Sequence, residues 1–219
     1  MKTALVTGSN KGIGLELCRQ LVNQNYRVIA ACRRPSKALE ETGASILSHI
    51  DVTDDHSVET MARHIHGQVL DLLVNNAGIA TWETLSDLDF DNVRAQFEVN
   101  ALGPLRVTRA LLPNLHSGSK VAIITSRMGS IADNTSGGYY GYRMSKAAVN
   151  MAGASLAHDL HSRGIAVFLL HPGMVATDMT DAQGIPVSES AGNLLARISE
   201  LNLKDSGRFI HANGESLPW

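Results

Sequence analysis

With 219 residues, 44% hydrophobic and 18% charged, the chain is long enough to bury a sizeable core and too apolar to be disordered. A net charge of −2 and an isoelectric point near 6.5 give no electrostatic footing for nucleic acid or an anionic membrane surface. Cys18 and Cys32, in no metal-ligand spacing, read as reduced thiols of a cytoplasmic protein, and neither a signal-peptide core nor a membrane-spanning run is expected.

Thr3–Thr7 is a short apolar run of the kind that forms a buried parallel strand. It enters Gly8-Ser9-Asn10-Lys11-Gly12-Ile13-Gly14 and then the helical pattern Leu15–Val22, so strand, glycine turn and helix follow in the order of a dinucleotide-binding unit. The glycines allow a tight turn and close backbone approach, while the helix N-terminus faces a pyrophosphate. The second strand, Arg27–Cys32, ends without a carboxylate and is followed by Arg33 and Arg34. A carboxylate at that position selects NAD through the ribose 2′-hydroxyl, whereas a guanidinium binds a 2′-phosphate with charge assistance, so the pattern predicts NADP(H). Lys11 is expected to close on the same phosphate from the other side.

A helix near Ser36–Thr42 leads to a third strand, Ala44–Ile50, ending in Asp51-Val52, and a helix opens at Thr53-Asp54-Asp55 and runs through His66. A fourth strand, Val69–Val74, closes in Asn75-Asn76-Ala77-Gly78. One long helical region is expected from about Ser86 to Leu115, with a break or kink near Pro104. The fifth strand, Lys120–Thr125, runs into Ser126-Arg127-Met128-Gly129-Ser130, and Ala132–Gly138 reads as a polar loop. A helix from Tyr142 to about Ser162, a strand Ile165–Leu170, a helix Ser188–Leu201 capped by Ser188 and a short strand Gly207–His211 complete the chain. Alternating strands and helices predict one α/β domain over residues 1–219, a parallel sheet covered on both faces.

Tyr142 and Lys146 stand at i and i+4, one above the other on a helical face. A phenol titrates near 10, and a neighbouring ammonium favours the phenolate, so this pair predicts a tyrosine moved toward acid–base work. Nine histidines invite a metal reading, but His64 and His66 point to different faces, and His158 and His161 have no third partner; no metal is predicted. Trp82 and Trp219 read as packing residues.

Thr7-Gly8-x-x-x-Gly12-Ile13-Gly14, Asp51-Val52, Asn75-Asn76-Ala77-Gly78, Asn100, Ser126, Tyr142-x-x-x-Lys146 and Pro172-Gly173-x-x-x-Thr177, in that order, resemble the short-chain dehydrogenase/reductase family from Met1 to about Thr177. Lys11, Arg33 and Ser126–Ile131 are most similar to small NADPH-dependent carbonyl reductases of the sniffer and C-factor type. The resemblance implies a three-layer Rossmann sheet of about seven strands and a small-molecule carbonyl or alcohol substrate. Tyr142 would give the proton to the carbonyl oxygen, Lys146 would hold the nicotinamide ribose, and Ser126 would hydrogen-bond the substrate oxygen. Asn100 would hold a water in a proton relay; on residue chemistry alone it could equally bond backbone at the kink near Pro104. For the cofactor, the resemblance adds Asn10 and Ile13 in the glycine loop and Asp51 and Val52 at the adenine. It adds Asn75, Ala77 and Gly78 along the adenine ribose, and Pro172, Gly173, Val175 and Thr177 at the carboxamide.

Two departures stand out. Ser126 lies further from Tyr142 than the family's serine usually does, and the usual spacing lands on Gly129; an insertion in Ala132–Gly138 explains this, with Ser130 as the other candidate. The segment Asp178–Val187 is short, which predicts a small lid over the substrate. A cofactor-binding signalling protein with little turnover and an oxidative alcohol or hydroxysteroid dehydrogenase are the other functional readings. The family's long helices imply pairing into homodimers or homotetramers.

Overall fold

β1 (Thr3–Thr7), β2 (Arg27–Ala31), β3 (Ser45–Leu47), β4 (Leu70–Asn75), β5 (Leu115–Ile124), β6 (Ala166–His171) and β7 (Phe209–His211) form one parallel sheet in the order β3-β2-β1-β4-β5-β6-β7. The computed structural model describes residues 1–219. The strands are continuous apolar runs because both faces are covered. On one face, Leu17, Cys18 and Leu21 of α1 (Gly12–Asn23) and Leu194, Leu195 and Ile198 of α7 (Val187–Glu200) pack on Ala4, Val6 and Phe168. On the other, α3 (Asp55–His64), α5 (Gly103–Ala110) and α6 (Tyr140–His161) bring Val58, Met61, Val107, Val149 and Leu160 against Leu5, Leu73 and Val121. The three layers and seven strands are those expected from the sequence.

The strand order reverses between β1 and β4, so the crevice past their carboxyl ends is the switch point where a doubly wound sheet holds its ligand. All the motif residues lie along that edge or on helices packed against it.

The long helix expected from Ser86 to Leu115 is instead three pieces. Asp89 caps α4 (Phe90–Phe97) by accepting from Asp91 N at 2.8 Å, a π-turn spans Glu98–Leu102, and α5 follows with Pro104 in its first turn. The interruption was expected at Pro104, but proline fits a first turn, where its missing N–H goes unneeded; the ladder changes four residues earlier, at Asn100. α7 begins at Val187 with Pro186 before it, so Ser188 lies inside the first turn and its expected cap is not made. The short helix α2 (Lys37–Glu40) is capped by Ser36. No helix is long and apolar enough to cross a membrane.

Candidate active site

The β1–α1 turn has no side chains in its floor for a steric reason. Gly8 has φ of 64°, and a Cβ on it would come within 2.7 Å of Ala77 Cα; a Cβ on Gly14 would collide with the Gly8 carbonyl and the Asn76 amide. Polar bonds stitch this turn to the end of β4. Asn76 Nδ2 donates to Thr7 O at 3.0 Å and to Gly8 O at 3.1 Å, while Thr7 Oγ1 accepts from Asn76 N at 3.0 Å and Ala77 N at 3.1 Å. No side chain caps α1, so helix geometry leaves its first-turn N–H groups for an anion. Ser36 donates to the Asn10 carbonyl at 2.6 Å, fixing the loop from behind, and Ile13 packs on the core beneath it. Opposite, Thr177 stands at ordinary contact distance from where a Gly12 Cβ would project (3.5 Å). Pro172, whose carbonyl accepts from Ser190, and Val175 are buried, and Gly173 takes φ of 87°, which turns the chain back over the cleft. This backbone-lined cradle at an uncapped helix fits a dinucleotide pyrophosphate.

Arg33 and Arg34 are exposed past the end of β2. Burial works to raise the Asp51 carboxyl, but bonds from Thr53 N and Oγ1, with Arg33 and Arg106 nearby, hold it below the usual carboxylate range. Val52 is buried beside Gly103.

Two residues lie differently from the sequence expectation. Lys11 Nζ pairs with Asp178 Oδ2 at 2.8 Å, because the turn after Thr177 carries that carboxylate to it. Asn75 is buried and spends its side-chain amide on Thr108 Oγ1 of α5, to which it donates at 3.1 Å. Its neighbour Asn76 does the stitching, a role that the doubled asparagine alone did not reveal.

Ser126 follows the last residues of β5 and caps the 3₁₀ turn Arg127–Gly129, accepting from Met128 N at 3.1 Å. The same hydroxyl lies near enough to the Tyr142 phenol to pull its titration downward. Gly129 touches the α6 backbone; a Cβ there would lie 2.6 Å from the Lys146 carbonyl carbon, so no serine could stand at the family's usual spacing. Ser130 is engaged elsewhere, donating to Trp219 O at 3.2 Å and accepting from Asp133 N at 3.0 Å. The structure thus brings Ser126, and not Ser130, to the phenol.

Lys146 lies one turn after Tyr142, its Nζ 5.7 Å from the ring centroid and donating to Ile124 O at 3.0 Å. Both side chains are buried, and burial governs both. It pushes the phenol up to about 12, against the pull of the nearby Ser126 side chain, and the ammonium down to about 8. Burial, and not the Lys146 charge, sets the direction of the phenol's shift, which is opposite to the one expected from the spacing. Gly78 sits between the lysine and Asn100: a Cβ there would lie 3.3 Å from Asn100 Oδ1 and 3.9 Å from Lys146 Nζ. Asn100 bonds the backbone of Ile79, accepting from its N–H at 2.9 Å and donating to its carbonyl at 2.8 Å, and donates to Ser145 Oγ at 3.0 Å. Its backbone partner is thus Ile79, not the kink near Pro104.

Trp82, read from sequence as a packing residue, sets its half-exposed ring edge-on to Tyr142.

A profile of the short-chain dehydrogenase family matches residues 2–185. The chain is 45% identical over 226 aligned positions to a 1-hydroxy-2-glutathionyl-2-methyl-3-butene dehydrogenase of Rhodococcus sp. strain AD45, covering all of both chains. It is similar to C-signal of Myxococcus xanthus, 49% identical over 154 residues, covering 68% of this chain and 93% of that one. The crystal structure of NADPH-bound carbonyl reductase from chicken fatty liver matches it with a TM-score of 0.91 at 31% identity, covering 100% of this chain and 99% of that one. With its 3-2-1-4-5-6-7 sheet and Ser126, Tyr142 and Lys146 at one edge, the chain belongs to the short-chain dehydrogenase family of oxidoreductases.

Proposed function

We propose that this enzyme is an NADPH-dependent reductase of small aldehydes or ketones. The observation that carries the reading is the grouping of Ser126, Tyr142 and Lys146 at one edge of the sheet, with Lys146 Nζ 5.7 Å from the phenol ring and close to Gly78 at the end of β4. When bound, NADPH supplies the hydride. Ser126 Oγ holds the substrate carbonyl oxygen and orients it toward Tyr142, whose phenol donates the proton. Lys146 holds the nicotinamide ribose, and Asn100, fixed by Ile79 and Ser145, anchors the water that refills the proton. A phenol pushed up to about 12 keeps its proton at neutral pH, which suits a donor in reduction better than a base in oxidation. The cradle contacts come from Gly8, Asn10, Gly12, Ile13, Gly14, Ala77 and Gly78, the adenine contacts from Asp51 and Val52, and the carboxamide contacts from the Pro172–Thr177 turn. Exposed Met144 and Met151 on α6 fit pairing of two copies, and buried free Cys18 and Cys32 fit a cytoplasmic home.

The Rhodococcus relative supports a second reading, oxidation of a thioether-bearing alcohol, since its likeness spans both chains. Assaying a panel of carbonyls with NADPH and a panel of alcohols with NADP⁺ separates the two. Absorbance loss at the NADPH band with carbonyls is expected; tight NADPH binding without turnover on either panel would leave only a cofactor-binding protein.

The serine assignment has its own outcome. Ser126→Ala is expected to lower kcat by about 10²-fold, a typical loss for one preorganised donor, and Ser130→Ala by less than about threefold. Steady-state kinetics with one carbonyl checks this, and the opposite ranking would reassign the serine.

Cofactor choice rests on Arg33. A charge-assisted hydrogen bond contributes about 1.5–3 kcal/mol, so one such contact implies at least about a tenfold preference for NADPH. Lys11 can add to it, because its exposed pairing with Asp178 holds it only weakly. Arg33→Asp is expected to shift the ratio of kcat/KM for NADPH over NADH toward NADH by about 10²-fold, with attraction lost and repulsion gained. An unmoved ratio, or a wild type that prefers NADH, would overturn the arginine reading.

A further inference from the structure

The loop between β4 and α4 has little regular structure, yet it is pinned on both sides of one residue. Before Trp82, Thr81 N donates to Gln96 Oε1 at 3.1 Å and Gln96 Nε2 donates back to Thr81 Oγ1 at 2.7 Å, with Gln96 wholly buried. After it, Glu83 is only 6% exposed; its carboxylate accepts from the Thr81 hydroxyl, and its backbone carbonyl accepts from Tyr139 N at 2.9 Å. Tyr139 is itself in the left-handed region at φ of 53°, immediately before α6. Burying a carboxylate with one oxygen, Oε2, unpartnered is costly, and the loop does so at the residue next to an indole that stays 46% exposed. Its ring stands 5.3 Å from Tyr142 at 64° and 5.3 Å from Tyr139 at 80°, with nearly half of its surface left open beside the phenol. Exposed Ile131, Met174 and Met179, on the segments following β5 and β6, give the same sheet edge further apolar and thioether surface.

We infer that Trp82 is a specificity-determining residue: its indole, held rigid by the Thr81–Gln96–Glu83 bonds, is an aromatic wall against which the substrate's group on the carbonyl carbon stacks. The class so selected is aldehydes and ketones carrying a planar aryl or conjugated alkenyl group. A flat π-system gains edge-to-face or offset contact with an indole that a saturated chain of equal size does not. The inference rests on the reductase reading and adds to it which carbonyls are preferred and why.

The test compares benzaldehyde with butanal in the wild type, Trp82→Phe and Trp82→Leu. The ratio of kcat/KM for benzaldehyde over butanal is expected to fall about tenfold in Trp82→Leu, chiefly through KM, and to be largely restored in Trp82→Phe. A ratio unmoved in Trp82→Leu, with both substrates losing kcat alike, would overturn the inference, since Trp82 would then merely support Tyr142. A second measurement does not need turnover. The chain has two tryptophans, so in a Trp219→Phe background Trp82 is the sole indole. Benzamide, a non-reducible aryl carbonyl, is expected to quench its emission saturably in the NADP⁺ complex, and butyramide to do so far more weakly. Equal quenching by both amides, or none by either, would also overturn it. Quenching by benzamide alone in an enzyme that reduces no carbonyl would sink the reductase reading and keep the wall; turnover with an unmoved ratio would do the reverse.

Discussion

Tyr142→Phe is expected to lower kcat by about 10²–10⁴-fold, the range set by loss of a positioned proton donor. The ring that Trp82 and the α6 packing hold stays in place, and only the hydroxyl near Ser126 goes. NADPH affinity, read from fluorescence titration, should remain within about twofold, because the cradle is built from the β1–α1 turn and the end of β4. The loss should fall equally on kcat and kcat/KM, as for a contact made only in the transition state. A variant that keeps near-normal turnover would remove Tyr142 from the chemistry altogether.

Lys146→Met is expected to make the protein more stable and the enzyme nearly inactive. The ammonium is buried, has the Ile124 carbonyl as its hydrogen-bonded acceptor, and burial pulls it down from 10.5 to about 8. At about 1.4 kcal/mol per unit, holding it charged at pH 7 costs on the order of 3 kcal/mol. Methionine removes that cost but leaves the Ile124 carbonyl without its donor, which returns about 1 kcal/mol, so a net gain of about 2 kcal/mol is expected. The sign with pH follows from the direction of the shift. Because the folded value lies below the unfolded one, the unfolded chain binds more protons between about pH 8 and 10.5, and wild-type stability rises across that window. The advantage of Lys146→Met should therefore be constant below pH 8, pass through zero within that window and reverse to about 1 kcal/mol in favour of the wild type by about pH 10.5, where only the lost hydrogen bond remains. Tyr142, raised to about 12, works oppositely above pH 10, in both proteins alike. Urea unfolding of both proteins at pH 7 and pH 10 measures the difference. A variant less stable at pH 7 would mean that Lys146 is held by more than the Ile124 carbonyl.

The sheet was legible because its cause is local: continuous apolar runs, each followed by a helical period, leave few arrangements other than the one found. Ser126 was singled out from its position at a strand end, and a reason for its unusual spacing emerged only with Gly129 lying against the α6 backbone. Edges were less legible. β3 shrank from the expected Ala44–Ile50 to Ser45–Leu47, since it pairs on one side only, with β2. Contacts between residues far apart in the chain were not legible at all. The Lys11–Asp178 pair joins residues separated by 167 positions, and Trp82 meets Tyr142 only because Gln96, on another helix, fixes its loop. The sequence offered one hint of Trp82, a lone large aromatic shortly after Gly78 in a polar loop, and that hint does not distinguish a buried ring from a displayed one. The relation between Tyr142 and Lys146 was seen, but the sign of the phenol's shift depends on burial, which spacing does not report.

The π-turn at Glu98–Leu102 also sets a phase. Each residue of an α-helix advances about 100° around the axis, so one residue absorbed in a wider turn rotates everything after it by about that angle. Upstream, α4 packs on α6; downstream, α5 packs chiefly on α3 and less on α6. An uninterrupted helix from Phe90 to Ala110 would have one stripe for two partners lying in different directions. The single surplus residue acts as an angular gear between them, and Asn100 sits at its axis. Its side chain is therefore aimed by the offset itself, so a one-residue deletion anywhere in this turn would cost the alignment of both helices and not only a side chain.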